Sequence, residues 1–150
     1  MFFVDYEASY STTINAPVQT VVDFLHDPAG LMRLNPVIID VKNDPNDSQK
    51  FIIVDQLNML GFKRQLTYTS KVTITEAGME AESSTGAGTT TIARFIAKSA
   101  GTAITELEER TSVNCFFLFL PFIKGVIAKS HTESHTRLKN RLEGVEVKTH

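Results

Sequence analysis

The 150-residue chain has little of what several large classes of protein require. It contains a single cysteine, Cys115, which excludes an internal disulfide and makes a reducing, cytoplasmic setting the expected one. Its formal net charge of −2 leaves no basic surplus with which to bind nucleic acid. Residues 1–5 lack the basic and long apolar segments of a signal peptide, so we expect none.

Long hydrophobic runs are also missing. The most apolar stretch, residues 113–128, is shorter than the roughly 20 residues of a membrane-spanning helix, and Pro121 and Lys124 interrupt it. We interpret it as the end of a strand, a turn and the start of a helix. It contains four phenylalanines: Phe116, Phe117, Phe119 and Phe122. We expect them to close one end of the core against two short helices; the alternative is an exposed lip that touches a membrane transiently.

The hydrophobic content of 42% is enough for a core, and without repeats or linkers we expect a single domain over residues 1–150. Residues 4–14 alternate between apolar and polar, which predicts a strand with one solvated face. Helical spacing follows, with Asn15 as a candidate cap and Val18, Val21, Val22 and Leu25 as an apolar stripe. Asp27-Pro28 then predicts a second short helix.

The rest of the chain reads as strands followed by one long helix. Period-two patterns separated by turn residues predict six strands, over residues 37–41, 51–57, 65–75, 79–84, 89–98 and 103–113. A helix is predicted over about residues 120–143, with Gly144 ending it. Strands joined by such short turns form an antiparallel sheet, so the fold class is α+β.

Three segments resemble the helix-grip fold of the START-like, or SRPBCC, superfamily, which includes polyketide cyclases, plant ligand binders and lipid-transfer domains. They are Ile14-Asn15-Ala16-Pro17 with the two short helices after it, Val54-Asp55-Gln56-Leu57 followed by Leu60-Gly61-Phe62, and residues 105–109 before the final helix. The resemblance implies a curved seven-stranded antiparallel sheet wrapped around a long C-terminal helix, with two short helices between strands 1 and 2. Residues 43–50 lack the glycine-rich loop of the plant ligand binders, which favours the cyclase-like branch.

The final helix has an unusual inner face. Ile123, Ile127, Leu138 and Leu142 share one side of it, but Ser130, His131 and Ser134 occupy the middle of that side, with His135 at its edge. Short polar side chains leave volume unfilled, so the pattern predicts a cavity with a few hydrogen-bonding groups. The alternative is a tilted part of the helix that faces water.

Two strands add polar side chains to this cavity. On residues 65–75 the predicted inward set is Leu66, Tyr68, Ser70, Val72 and Ile74. On residues 103–113 the inward set is Thr105, Leu107, Glu109, Thr111 and Val113. An inward Glu109 would be a functional carboxyl or half of a buried ion pair, and the alternative is a bulge that exposes it.

The facing of Arg94 and Asp55 stays open, with a solvated outer position the commoner outcome for each. An inward Arg94 would pair with Glu109 or hold a ligand carboxylate. His131 and His135 have the i, i+4 spacing of metal ligands, but no third ligand is evident, so we predict no metal and no cofactor.

The predicted function is binding or transport of a hydrophobic small molecule, such as a lipid, sterol or polyketide, between the sheet and the final helix. The predicted contacts are Tyr68, Ser70, Arg94, Glu109, Ile127, Ser130, His131, Ser134, His135 and Leu138. The alternative is a polyketide cyclase or dehydratase with Glu109 and His131 as its catalytic residues. A protein-interaction module with a vestigial cavity is a third possibility, and we expect a monomer or weak homodimer.

Overall fold

The computed structural model describes residues 2–59, 61–85 and 88–144. The chain begins with β1 (Phe3–Ile14), α1 (Val18–Leu25) and α2 (Pro28–Met32). Six strands follow: β2 (Ile38–Asp44), β3 (Asp47–Met59), β4 (Phe62–Thr75), β5 (Gly78–Ser84), β6 (Thr90–Gly101) and β7 (Ile104–Phe116). A single 3-10 turn (Phe117–Phe119) leads into α3 (Leu120–Leu142). The predicted order of elements is confirmed.

The strands form one antiparallel sheet in the order β1-β7-β6-β5-β4-β3-β2. The sheet curves around α3, with the two short helices inserted between β1 and β2, so the predicted α+β helix-grip architecture is confirmed. Consecutive strands are neighbours except at β1, which pairs with β7. That pairing sets Tyr10 opposite Glu109.

The predicted boundaries need two corrections. Residues 43–47, which lie between the predicted strands over residues 37–41 and 51–57, mostly belong to β2 and β3, because Asp44 pairs directly with Asp47. Asn15 does not cap α1, whose N-cap is Pro17 without a side-chain hydrogen bond. The backbone N–H of Asn15 donates instead to Glu143 Oε2 at 2.7 Å, which ties the start of α1 to the end of α3. Leu60, in one of the resembling segments, lies outside the described residues.

Apolar clusters hold α3 on the sheet near both of its ends. Toward its C-terminus, Leu138 packs in a core that includes Leu25 and Leu107. Toward its N-terminus, Ile127 packs with Val113 and Cys115. Burying these side chains supplies roughly 1.5–3 kcal/mol each. The middle turns of α3 lie between these two clusters and place polar side chains over the sheet.

The aromatic cluster does not close the core, so that prediction is wrong. Phe117 is 44% exposed and Leu118 is 65% exposed, and Phe119 and Phe122 are exposed as well. The reason is that the pairing of β1 with β7 continues as far as Phe3 and Phe116. The 3-10 turn that follows therefore begins at the end of these two strands, away from the core. There the ring of Phe116 lies 6.2 Å from that of Phe3.

Within the described ranges, no helix combines the length and the apolar character needed to cross a membrane.

Candidate functional site

Two cavities lie between the sheet and α3. The large cavity has a volume of about 500 Å³, and the small cavity a volume of about 150 Å³. The large cavity lies toward the N-terminal half of α3, and the small cavity lies toward its C-terminal half. Five residues line both: Asn35, Tyr68, Ser83, Thr91 and His131. The two cavities are therefore adjacent, and both are partly open to solvent.

Glu109 lies at the wall of the small cavity and is only 2% exposed. Its Oε1 is 2.7 Å from His135 Nε2. Its Oε2 is 2.5 Å from His131 Nδ1 and accepts a hydrogen bond of 3.1 Å from Thr111 Oγ1. One carboxylate therefore has an imidazole at each of its oxygens.

Local geometry explains why these three side chains meet. The register of β7 against β1 runs without a shift from Thr105 to Phe116, so the bulge that would expose Glu109 does not occur. The i, i+4 spacing puts His131 and His135 on one side of α3. His135 is buried at the centre of that side rather than at its edge, which corrects the predicted placement.

The protonation state of this cluster follows from its contacts. Burial raises the pKa of Glu109, but the contacts with His131 and His135 outweigh burial and lower the pKa to about 2. An ionised carboxylate only accepts hydrogen bonds, so Nε2 of His135 is the donor. Nδ1 of His135 lies 2.6 Å from Thr12 Oγ1, and this second contact fixes the orientation of the ring.

Asp55 and Tyr68 form a second polar pair, at the wall of the large cavity. The Tyr68 hydroxyl donates to Asp55 Oδ1 at 3.1 Å. Burial raises the pKa of Asp55 to about 6, although the hydrogen bond from Tyr68 partly opposes the rise. Burial and the neighbouring Asp55 likewise raise the pKa of Tyr68. Asp55 therefore does not take the solvated outer position that was the commoner expectation. It lies on the concave face of β3 with Ile53 and Leu57.

Arg94 does not belong to the site. On β6 the residues that line the small cavity are Thr91, Ala93 and Phe95, which places Arg94 on the opposite face. Its side chain is 51% exposed, and its Nε lies 3.4 Å from Glu80 Oε2. Alternation along a strand leaves no other outcome once Ala93 and Phe95 face inward.

The other nine predicted contact residues line a cavity: Tyr68, Ser70, Glu109, Ile127, Ser130, His131, Ser134, His135 and Leu138. Ser134 Oγ is buried without a hydrogen-bond partner, as expected where a polar group faces unfilled space. Ile74, predicted to point inward, is largely exposed because it lies near the end of β4, beyond the core.

Sequence reasoning missed three residues around the imidazoles. Thr12 contacts His135, the Tyr10 ring centre lies 5.5 Å from that of His131, and Phe95 stacks on His135 at 6.5 Å. The alternation of residues 4–14 already put Tyr10 and Thr12 on one face. What it did not indicate was that β1 pairs with β7 and so brings this face to Glu109.

Among the described residues, no group of three or more His, Cys, Asp and Glu side chains is arranged to hold a metal ion.

Solved structures with this architecture cover nearly the whole chain. The aromatase/cyclase ZhuI from Streptomyces sp. R1128 matches 93% of this chain and 94% of its own, with 11% identity and a TM-score of 0.73. A START superfamily protein from Mycobacterium smegmatis matches 92% and 97%, with 15% identity and a TM-score of 0.70. A norcoclaurine synthase point mutant from Thalictrum flavum, in complex with a transition state analogue, matches 93% and 95%, with 10% identity and a TM-score of 0.69.

These likenesses establish a START-like, SRPBCC fold for the chain. No curated protein matches the sequence significantly. Residues 11–144 match the family described as "Domain of unknown function (DUF7053)", and the chain belongs to that family.

Proposed function

We propose that this protein binds an apolar small molecule in the large cavity. The observation that carries the proposal is a partly open cavity of about 500 Å³ between α3 and the sheet. That volume lies in the range of small-molecule sites, and such sites combine apolar walls with a few polar groups. The apolar walls here are Val37, Leu57, Leu66, Phe119, Phe122, Ile123, Val126 and Ile127.

The polar middle of α3 supports the same conclusion. Ser130 and His131 face the cavity where leucine or isoleucine would fill it, while Ile127 and Leu138 hold the helix in place on either side. Packed interiors leave few voids larger than a water molecule. An opening of this size, kept in place by well-packed flanking clusters, is a feature of a binding site rather than of a poorly packed core.

The exposed aromatic residues give the cavity an apolar entrance. Phe119 and Phe122 line the large cavity and are also exposed on the surface, beside Phe117 and Leu118. A ligand with low water solubility can enter along these apolar side chains. Transient contact with a membrane that delivers the ligand would use the same residues.

A fluorescence titration with N-phenyl-1-naphthylamine, an uncharged dye that brightens in apolar surroundings, tests the proposal. Val126→Trp places an indole in the large cavity, and we expect the dye to bind it about tenfold more weakly than the wild type. Lys129→Trp adds the same ring to an exposed position of α3 and should leave binding unchanged. Equal binding by the wild type and Val126→Trp would exclude the large cavity as the site.

Acid–base catalysis in the same cavity is a second candidate function, and the contacts of Glu109 with His131 and His135 favour it. His131 lines both cavities and is therefore the group that would touch a substrate. Both oxygens of Glu109 are engaged by His131, His135 and Thr111, so Glu109 would act as a positioning residue. Arg94 has no part in this reaction because it lies on the outer face.

Hydrogen–deuterium exchange at a carbon acid tests the second candidate. With 2-tetralone in D₂O, His131 would remove a proton from the carbon beside the carbonyl, and a solvent deuteron would replace it. NMR should show faster exchange with the wild type than with His131→Gln, and Arg94→Gln should match the wild type. Identical exchange rates with and without the protein, at a ketone concentration that displaces the dye, would leave binding as the only function.

A further inference from the structure

We infer that the ligand of the large cavity is an amphiphile with a protonated amine, and that Asp55 binds this amine. This inference rests on the proposed binding function and names the chemistry of its ligand. Asp55 reaches the cavity from β3, with the apolar side chains of Leu57 and Leu66 beside it and those of α3 across from it. A cationic head would meet Asp55 while its apolar tail lies along α3.

The first argument is that Asp55 lacks a counter-charge. Its one side-chain hydrogen bond in the described structure is the one that Tyr68 donates to Oδ1, at 3.1 Å. No described lysine, arginine or histidine forms an ion pair with it. A carboxylate in an apolar wall without a cation is costly, and a ligand cation in the cavity would supply the missing charge.

The second argument is the charge of the rest of the lining. Among the described residues that line the two cavities there is no lysine and no arginine. Lysine and arginine are the side chains best suited to bind the anionic heads of fatty acids and phosphate-bearing lipids. The ionisable lining consists of the acids Asp55 and Glu109, with Tyr68, His131 and His135. Glu109 already faces two imidazoles, so Asp55 is the carboxyl left for a ligand.

Three compounds with the same tail and different heads test the inference by displacement of the naphthylamine dye. They are octylamine, which is cationic at neutral pH, 1-octanol, which is neutral, and octanoate, which is anionic. At about pH 8 we expect octylamine to bind at least about tenfold more tightly than octanoate. Asp55→Asn should weaken octylamine about tenfold and leave 1-octanol unchanged. Asp40→Asn removes an exposed acid of the neighbouring strand and should change neither.

The pH dependence of octylamine binding is an independent test of the Asp55 site. Besides Asp55, the titratable groups that line the large cavity in the described structure are Tyr68 from β4 and His131 from α3. The lining residues from the α2–β2 connection, β5 and β6 do not titrate. Octylamine affinity should rise between about pH 5 and about pH 8 as Asp55 ionises, and this rise should persist in His131→Gln and disappear in Asp55→Asn.

The outcomes distinguish a failure of the amine inference from a failure of the proposed binding function. If 1-octanol and octanoate displace the dye as well as octylamine does, the amine inference is overturned while the binding function stands. If Asp55→Asn binds octylamine like the wild type, Asp55 is not the amine site. If the wild type binds neither the dye nor any octyl compound, the binding function itself fails. Retained 1-octanol binding by Asp55→Asn shows that the variant keeps its cavity.

Discussion

Glu109 Oε1 lies 2.7 Å from His135 Nε2, and this contact joins the middle of β7 to the middle of α3. Both side chains are buried, and His131 approaches the other carboxylate oxygen. Between the apolar clusters that hold the ends of α3, the helix is therefore fixed by charge and hydrogen bonds. The cluster forms a wall of the small cavity. It therefore stabilises the fold and leaves the small cavity unfilled.

Replacing Glu109 with glutamine should cost about 2–4 kcal/mol of the free energy of unfolding at neutral pH, because the buried imidazole of His135 and the half-buried imidazole of His131 lose their anionic partner. Urea unfolding measures the loss. Glu106→Gln, at a neighbouring position on the outer face of β7, is the control and should cost less than about 1 kcal/mol.

The stabilising effect of Glu109 should also depend on pH. The pKa of Glu109 is lowered from 4.5 to about 2, so its stabilising contribution is present above about pH 4.5 and is lost as the pH falls toward 2. The difference in unfolding free energy between the wild type and Glu109→Gln should shrink over that interval. A difference that stayed constant down to pH 3 would mean that Glu109 is not held as a carboxylate by the histidines.

Thr12→Val should lower the free energy of unfolding by about 1 kcal/mol, because His135 Nδ1 would lose its hydrogen-bond partner in a buried site. Valine keeps the shape of threonine and its preference for strands. Thr13→Val is the matched control, since Thr13 donates to Glu106 on the exposed side of the same strand. Equal effects of the two variants in urea unfolding would argue against a structural role for the Thr12–His135 contact.

Ser134→Ala should stabilise the protein. The hydroxyl of Ser134 is buried without a partner, and its removal relieves an unfavourable desolvation of about 1 kcal/mol. Alanine also raises helix propensity, which Thr132→Ala measures separately at an exposed position of α3. Thermal or urea unfolding should show a larger gain for Ser134→Ala than for Thr132→Ala. A smaller gain would indicate that water or a ligand normally satisfies the hydroxyl.

Asp55→Asn should stabilise the ligand-free protein above neutral pH. The pKa of Asp55 is raised from 3.8 to about 6, so the folded state holds the Asp55 proton more tightly than the unfolded state does. The free energy of unfolding therefore falls as the pH rises through that range. Asparagine keeps an acceptor for Tyr68 and carries no charge. The expected gain is up to about 3 kcal/mol at about pH 8 and falls to nothing near pH 4. Asp40→Asn should show no such pH-dependent gain.

The fold could be predicted because its signals are local. The alternation of residues 4–14, the apolar stripe before Leu25 and the long final helix each belong to one element, and the resemblance supplied the order of packing. The aromatic cluster around Phe116 went wrong because its surroundings depend on how far β1 and β7 stay paired. Two distant segments decide that, and no local pattern records it.

The site divides in the same way. Glu109 and the polar residues of α3 were predictable because the periods of a strand and a helix assign them to inner faces. Arg94 was not, since both faces of β6 carry apolar side chains, Ile92 and Ile96 on one and Ala93 and Phe95 on the other. The structure puts Phe95 on the inner face, where it stacks on His135. Asp55 was ambiguous because a carboxyl in an apolar cavity runs against the usual preference for solvent.

Native mass spectrometry of the protein purified from its own source tests the central claim most directly. The wild type should carry one small molecule per chain, and Val126→Trp, purified alongside it, should carry none while Lys129→Trp keeps it. A wild-type mass equal to that of the bare polypeptide, together with failure to take up the naphthylamine dye, would contradict the account.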